Sequence, residues 1–299
     1  MEEQFGTEGF EIYEMPQGLK INAERFSEFQ KAYTYLTNTQ QYEQAIYDAV
    51  SNKQDKMLIV TEGTTDWKHM KAAYNKLSHM PEYAELFTGF EFEFLEYEPN
   101  NSSQSTKVKL EMGNGQLVSL CENMAKIMQK RKMVFIADRD HNDTNKKLGG
   151  KDGNQFKKWG NNVYSFILPI PDFRTATPGI CIEHLYSDEV IKTEIETQNP
   201  NVKRRLYMGN EFDRRGYAPS LGVICEKKAV CGPEKINIIE GSTGERVTLL
   251  DDENINMALS KMTFANLMLE GKTPFDEVDF KPFVPIFDIL KKIYLDSDI

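Results

Sequence analysis

Residues 57–66 read MLIVTEGTTD, and this stretch decides the fold of the chain. Residues 57–60 form an unbroken apolar run of the kind found in strands that are buried on both faces of a parallel sheet. The run ends at Glu62 and Gly63, and from about Thr65 apolar residues recur three and four positions apart, as in an amphipathic helix. The stretch therefore predicts a buried strand that passes through a short turn into a helix.

The chain repeats this pattern further on. A second strand is predicted over residues 90–97, a helix over 117–128, and another fully apolar strand over 133–137. Residues 142–160 are rich in Lys, Gly and Asn and indicate a long loop, which a further strand follows at 163–168. Alternating strands and helices are typical of an α/β fold. We expect a mainly parallel sheet flanked by helices.

Helical patterns also lie on either side of this region. Residues 22–52 carry apolar side chains at helical spacing, and two amphipathic helices are predicted over 257–269 and 285–294. Between residue 190 and the first of these C-terminal helices the pattern indicates neither helix nor strand clearly. The C-terminal part is therefore expected to be mixed or helical.

Composition narrows the class of protein. The chain has 299 residues, of which 40% are hydrophobic and 27% charged, a balance that supports a globular core. Its formal net charge of −10 excludes a protein that holds nucleic acid by bulk positive charge. The first twenty residues are acidic and unlike a signal peptide, and no apolar run is long enough to span a membrane. A cytoplasmic location without membrane contact is expected.

The cysteines argue against a structural zinc site. There are four cysteines and four histidines, and Cys225 and Cys231 are six positions apart, outside the spacing of a CxxC pair. Structural zinc requires four close ligands, usually from two such pairs. We expect ordinary reduced thiols.

Acidic residues follow the two most apolar strands. Glu62 comes directly after the strand at 57–60, and Asp138 and Asp140 come directly after the strand at 133–137. In open α/β sheets, functional side chains lie just beyond the carboxyl ends of the strands. Carboxylate oxygens suit Mg²⁺ or Mn²⁺ better than zinc, and without a cation they would repel one another. The alternative is that these are ordinary surface carboxylates in loops that follow strands.

Taken as a pair, residues 57–66 and residues 133–140 (MVFIADRD) resemble the two signatures of a TOPRIM domain. In that family a buried strand runs into Glu-Gly, with Asp three positions later, and a second apolar strand runs into Asp-x-Asp. TOPRIM domains occur in topoisomerases, primases, a recombination mediator, small RNA-maturing nucleases and the overcoming-lysogenization-defect (OLD) nucleases. The resemblance implies a TOPRIM catalytic domain at 55–190 and a C-terminal region at 191–299 that completes the site. The helical spacing of residues 22–52 predicts a helical N-terminal segment at 1–54.

The resemblance also implies roles for six residues. Glu62 matches the glutamate that binds metal or acts as acid/base, and Asp138 and Asp140 match the metal-binding pair. Asp66 matches an additional acid that OLD-type nucleases use for a second metal ion. Two shorter matches add two further residues. Glu183, within GICIEHL at 179–185, matches a later carboxylate of these nucleases. Lys261, within SKMTFA at 260–265, matches a cation near the scissile phosphate.

Among TOPRIM proteins, the stand-alone OLD-type nucleases fit best. The zinc modules of the mediator and the bacterial primase are excluded by the cysteine spacing, and a topoisomerase would need a further tyrosine-bearing module. Residues 241–245 (GSTGE) lack the lysine of a phosphate-binding loop, so no fused ATPase is indicated. The resemblance thus implies a two-metal Mg²⁺- or Mn²⁺-dependent endonuclease acting on DNA or RNA. It further implies a toxic effector of anti-phage defence with a separately encoded ATPase partner.

Two alternatives to the nuclease stay open at this stage. A non-catalytic TOPRIM-fold subunit could use the negative charge to dock onto a basic partner, either as a monomer or in an oligomer. A topoisomerase-like strand-cleaving subunit is the other. A nuclease of this charge must still bind a polyanion, which predicts a basic path. Its candidate residues are Lys146, Lys147, Lys151, Arg204, Arg205, Arg214 and Arg215, unless these are scattered and merely solvated.

Overall fold

The computed structural model describes residues 12–14, 19–21, 56–99, 108–109, 112–197, 202–241, 245–252 and 254–296. The chain forms two compact units, residues 1–52 and residues 53–299. In the first unit, β1 (Ile12–Glu14) and β2 (Leu19–Ile21) pair in antiparallel fashion. The helix predicted over 22–52 lies outside the described residues.

The second unit contains the remaining strands. They are β3 (Met57–Thr61), β4 (Phe92–Phe94), β5 (Tyr97–Glu98), β6 (Val108–Lys109), β7 (Met133–Ala137), β8 (Lys157–Gly160), β9 (Val163–Ile167), β10 (Ile195–Glu196), β11 (Lys203–Arg204), β12 (Tyr207–Met208), β13 (Tyr217–Ala218), β14 (Val223–Cys225), β15 (Ile238–Ile239) and β16 (Val247–Leu249). Five of them form the central sheet in the order β4-β3-β7-β9-β8. The first four run parallel and β8 pairs antiparallel at the edge, which confirms the mainly parallel α/β sheet.

Helices flank this sheet. The α-helices are α1 (Asp66–Leu77), α2 (Ala84–Phe87), α3 (Asn114–Met124), α4 (Asn142–Leu148), α5 (Asp188–Ile191), α6 (Lys261–Glu270) and α7 (Val284–Leu295). Short 3₁₀ helices span Pro81–Tyr83, Asp172–Arg174, Ile182–Leu185, Gly209–Glu211, Pro219–Leu221, Lys228–Val230 and Lys281–Phe283. In the part of the chain that the structure describes, no helix has the length and apolar character needed to cross a membrane.

The main core lies where the sheet meets α1, α6 and α7. Every residue of β3, β7 and β9 is buried, as the apolar runs predict for strands covered on both faces. Phe287 of α7 packs against Phe87, with ring centroids 5.3 Å apart, and Phe264 of α6 packs against His69 of α1 at 5.7 Å. The two C-terminal helices therefore share one core with the sheet, which brings α6 next to α1.

The prediction of a long loop over 142–160 is wrong. Residues 142–148 form α4, whose buried Thr144 and Leu148 lie one turn apart, and the side chain of His141 caps its first turn. Residues 157–160 form β8, which makes a hairpin with β9 through Asn161 and Asn162, both at positive φ. Asn tolerates this left-handed conformation, so the polar composition reflects a helix surface and a tight turn.

Smaller differences concern element boundaries. The strand predicted over 90–97 is divided into β4 and β5, and β5 leaves the central sheet to pair with β6. The helix predicted over 117–128 begins earlier and ends at Met124. In the C-terminal region, short strands β12 to β16 enclose a second small core around Phe212 and Val247. These strands are too short for their alternation to be visible in the sequence.

Candidate active site

The carboxyl ends of β3 and β7 meet at one edge of the sheet. The two strands are neighbours in parallel register, with Thr61 opposite Ile136, so Glu62 and Asp138 leave the sheet side by side. The backbone N–H of Asp138 donates to Oε2 of Glu62 over 3.3 Å. Register alone thus brings together two acids that are far apart in sequence.

A buried tyrosine holds the backbone that carries Glu62. The Tyr97 hydroxyl lies 3.0 Å from the carbonyl oxygen of Thr61 and 3.1 Å from that of Glu62. Tyr97 is completely buried, and its own carbonyl accepts a hydrogen bond of 3.0 Å from the indole N–H of Trp67. The buried Tyr97 hydroxyl therefore fixes the backbone of the turn after β3. The sequence places Tyr97 in a strand but carries no signal of this role.

Asp66 folds back over the same turn from the first position of α1. Its Oδ2 accepts a hydrogen bond of 2.6 Å from the N–H of Gly63. A Cβ added at position 63 would lie 2.6 Å from Oδ1 of Asp66, well inside van der Waals contact. Gly63 is therefore the residue that leaves room for the Asp66 carboxylate.

Glu183 and Lys261 form an ion pair beside these acids. Glu183 lies on the 3₁₀ helix Ile182–Leu185 and is 1% exposed, while Lys261 begins α6. Nζ of Lys261 is 3.1 Å from Oε2 of Glu183 and 3.7 Å from Sγ of Cys181. Oε1 of Glu183 is also buried, and no described residue gives it a hydrogen bond.

The acids raise one another's pKa values. Burial, followed by the charges of Asp66 and Asp140, raises the pKa of Glu62 to about 8. Burial and the charge of Glu183 raise the pKa of Asp66 to about 6. Burial, then Asp66 and Glu62, raise the pKa of Asp138 well above its ordinary value. Without a cation, this cluster therefore holds protons near neutral pH.

Lys261 lowers the pKa of its ion-pair partner Glu183. Burial alone would raise the pKa of Glu183, but the ammonium group of Lys261 lowers it to about 2. Burial alone would lower the pKa of Lys261, yet the negative groups around it, including Glu183 and Asp138, raise it well above its usual range. Both partners are thus charged at neutral pH.

A cleft of about 450 Å³ opens next to this cluster. Asp140 lines it from the sheet edge, Lys261 from the start of α6, and Glu240 from just after β15. His184 lines it from the 3₁₀ helix Ile182–Leu185, and Cys181 from the residue before that helix. Asp140 itself is exposed, unlike the other five predicted site residues. A molecule in the cleft would therefore meet Asp140 and Lys261 before the more buried acids.

All six residues predicted for the site lie close enough to influence one another electrostatically. The charges of Asp66, Glu62, Glu183 and Lys261 all act on Asp138, and that of Asp140 acts on Glu62. Four residues around the cluster were not predicted, namely His69, Tyr97, Cys181 and Glu240. They come from four separate segments, and a lone polar residue in an apolar pattern does not indicate a site.

Two of the four arginines in the predicted basic path are not freely exposed, since Arg205 is buried and Arg204 is half-buried. Arg205 is buried, forms two hydrogen bonds with the Glu211 carboxylate and lies over the Tyr207 ring at 3.9 Å. Arg214 and Arg215 pair with Glu234 and Asp213. Arg205 therefore stabilises the fold, and the charges of Arg214 and Arg215 are offset by neighbouring acids. The exposed Lys146 lies 3.9 Å from Asp143.

The donor chemistry of the cluster fits a hard divalent cation. Its candidate ligands are carboxylate oxygens, which Mg²⁺ and Mn²⁺ prefer, and a cation would remove the repulsion that raises their pKa values. Among the described residues, however, no three His, Cys, Asp or Glu side chains are already arranged to hold a metal ion. Binding would require some of these carboxylates to turn toward the ion.

Comparison of the chain with models of known protein families, with curated proteins and with solved structures gave no match.

Proposed function

We propose that this protein is a metal-dependent nuclease of the TOPRIM type that hydrolyses phosphodiester bonds of DNA or RNA. The observation that carries the proposal is the meeting of Glu62 and Asp138 at the ends of adjacent parallel strands, with the Lys261 ammonium beside them. The resemblance of residues 57–66 and 133–140 to the two TOPRIM signatures supports the same chemistry. We further infer from that resemblance a cytoplasmic OLD-type effector of anti-phage defence, controlled by a separate ATPase.

Each residue has a chemical task in this proposal. Glu62, Asp138 and Asp140 would hold one Mg²⁺ or Mn²⁺ ion, and Asp66 and Glu183 would help to hold another. Bound cations of this kind activate a water molecule and neutralise charge on the leaving oxygen. The resemblance gives Glu62 the alternative task of a general acid or base that exchanges a proton with the attacking water. Lys261 would stabilise the negative charge that develops on the phosphate.

The direct test is cleavage of plasmid DNA, single-stranded DNA and total tRNA with Mg²⁺ or Mn²⁺. We expect cleavage of at least one substrate and its loss in Asp138→Asn, which removes a ligand charge without changing side-chain size. Asp143→Asn is a matched control, because Asp143 lies on nearby α4 but is exposed. Absence of cleavage of every substrate by the wild type, or equal cleavage by wild type and Asp138→Asn, would contradict the proposal.

A second prediction concerns the close approach of Gly63 and Asp66. In Gly63→Ala the added Cβ would displace the Asp66 carboxylate, which is the movable partner in the contact. We expect Mn²⁺ affinity, measured by calorimetry, to fall about tenfold or more, the usual scale when a ligand loses its support. Gly115→Ala is the control, since a Cβ at Gly115 meets no atom within 4 Å. Unchanged Mn²⁺ affinity in Gly63→Ala would show that Asp66 is not a ligand.

A further inference from the structure

His69 is buried inside the second unit, and described residues give a hydrogen-bond partner to only one of its two ring nitrogens. It lies on α1 and is 0% exposed, between the rings of Tyr186 and Phe264 at centroid distances of 5.4 and 5.7 Å. Its Nδ1 lies 2.9 Å from the Tyr186 hydroxyl. Its Nε2 is buried and has no hydrogen-bond partner among the described residues. A buried nitrogen in this state is costly unless it meets a complementary group.

The contact with Tyr186 determines which nitrogen carries the proton. A tyrosine hydroxyl is a stronger donor than acceptor, and within the described residues His69 is its only hydrogen-bond partner. The hydroxyl therefore donates to Nδ1, and in the neutral ring the proton lies on Nε2. His69 is fully buried, which disfavours the charged form of the ring. Nε2 is thus a donor that needs an acceptor.

Glu183 supplies a carboxylate oxygen that is likewise buried and without a hydrogen-bond partner among the described residues. Its Oε2 is bound by Lys261, whereas its buried Oε1 has no hydrogen-bond partner in the described part of the chain. The His69 ring packs against Tyr186, which follows Glu183 by three positions, and among charged groups Glu183 has the largest electrostatic effect on that ring. α1 also packs against the 3₁₀ helix that carries Glu183. One donor and one acceptor, both buried and both unmatched, therefore lie in adjacent elements.

We propose that His69 is a positioning residue for Glu183, donating its Nε2–H to Oε1 either directly or through one bridging water. This contact holds the carboxylate so that Oε2 faces Lys261 and the other acids. It extends the site inward as a chain from Tyr186 through His69 and Glu183 to Lys261. The inference rests on the proposed function only for the consequence of this positioning, which is metal binding and cleavage.

The hydrogen bond can be measured without any nuclease activity. In protein labelled with ¹⁵N-histidine, His69→Gln identifies its resonances among those of the four histidines. We expect the Nε2–H tautomer at pH 7, with slow exchange of that proton with solvent. Glu183→Gln should shift the proton resonance, because a neutral acceptor makes a weaker hydrogen bond. An Nδ1–H tautomer, or an Nε2–H resonance that Glu183→Gln leaves unchanged, would overturn the pairing.

Substitutions of His69 then distinguish a role in positioning Glu183 from a role in packing alone. His69→Phe keeps a ring against Tyr186 and Phe264 but removes both nitrogens, whereas His69→Gln keeps an N–H donor near the position of Nε2. We expect His69→Phe to weaken Mn²⁺ binding and cleavage about 10- to 100-fold, and His69→Gln to restore most of both. His79→Gln is the control, since His79 is exposed just after α1.

The outcomes remain distinguishable from a failure of the proposed function. If His69→Phe binds Mn²⁺ and cleaves like the wild type, His69 only fills space and the inference is overturned. If His69→Phe does not fold, the comparison of His69→Gln with wild type and the NMR measurement decide. If the wild type itself neither binds metal nor cleaves, the proposed function fails, and the histidine resonances alone decide whether His69 holds Glu183.

Discussion

Replacement of Glu62 by glutamine is expected to lower phosphodiester cleavage at least about a hundredfold, the scale of a lost catalytic acid/base group. Glutamine keeps the size of the side chain and an oxygen that can accept the N–H of Asp138. It cannot supply the negative charge that a hard cation or an attacking water requires. The measurement is the initial cleavage rate at saturating Mg²⁺ or Mn²⁺, with toxicity in the producing cell as a second readout.

The same substitution should not destabilise the metal-free protein. Burial and the charges of Asp66 and Asp140 oppose ionisation of Glu62, so removal of its carboxyl relieves repulsion. We expect the melting temperature in a chelator to stay level or rise at pH 8. Glu91→Gln is the matched control, because Glu91 is exposed just before β4. Full cleavage by Glu62→Gln would refute a TOPRIM-type nuclease site built on Glu62, whereas lost activity through unfolding would favour a non-catalytic TOPRIM-fold subunit.

The second large effect concerns stability against pH. The pKa of Glu62 rises on folding from 4.5 to about 8, and that of Asp66 from 3.8 to about 6. These two carboxyls therefore bind protons more tightly in the folded protein between about pH 4 and pH 8, and their contribution to stability falls as pH rises through this window. Burial lowers the pKa of His69 from 6.5 to about 4, and this opposes the loss only in the lower part of the window. Glu183, whose pKa is lowered to about 2, loses its contribution only below that window, as pH falls toward 2.

A divalent cation should reverse this loss. At a concentration of 100 Kd, binding to the folded state adds about 2.7 kcal/mol, which corresponds to a rise in melting temperature of about 5 °C. The rise in melting temperature should be largest at pH 8, because the cation then displaces the fewest protons from the carboxyls. Thermal melts in chelator and in Mn²⁺ at pH 5, 6, 7 and 8 provide the measurement. A pH-independent melting temperature in chelator, or no response to millimolar Mn²⁺, would contradict the cation site.

The sheet and the main acids of the site follow from local sequence. The apolar runs at 57–60 and 133–137 predict buried parallel strands because a strand covered on both faces has no polar side. Parallel strands end at the same edge, so the acids that follow them, Glu62 and Asp138, are expected together. The structure contains this sheet and this adjacency. The TOPRIM assignment, the bound metal and the nuclease activity stay predictions.

Residues 142–160 illustrate where composition misleads. Lys, Gly and Asn are common in loops, but here Gly160, Asn161 and Asn162 supply the positive φ angles of a hairpin turn. Helix α4 shows only two buried positions, Thr144 and Leu148, so its periodicity is weak. The edge strand β8 gains its hydrogen bonds from β9 and not from its own pattern. Short elements of this kind depend on neighbours that a local reading does not include.

The sequence by itself determined the buried strands, the helix that begins at Asp66 and the acids that follow the strands, because these depend on residues a few positions apart. Only the tertiary structure decided that Lys261 pairs with Glu183 across 78 positions, that Gly63 makes room for Asp66, and that His69 packs against Phe264. Such contacts depend on how α1, α6 and the 3₁₀ helix Ile182–Leu185 pack around one core. Packing is a property of the whole chain, since each contact exists only when all the elements around it are in place.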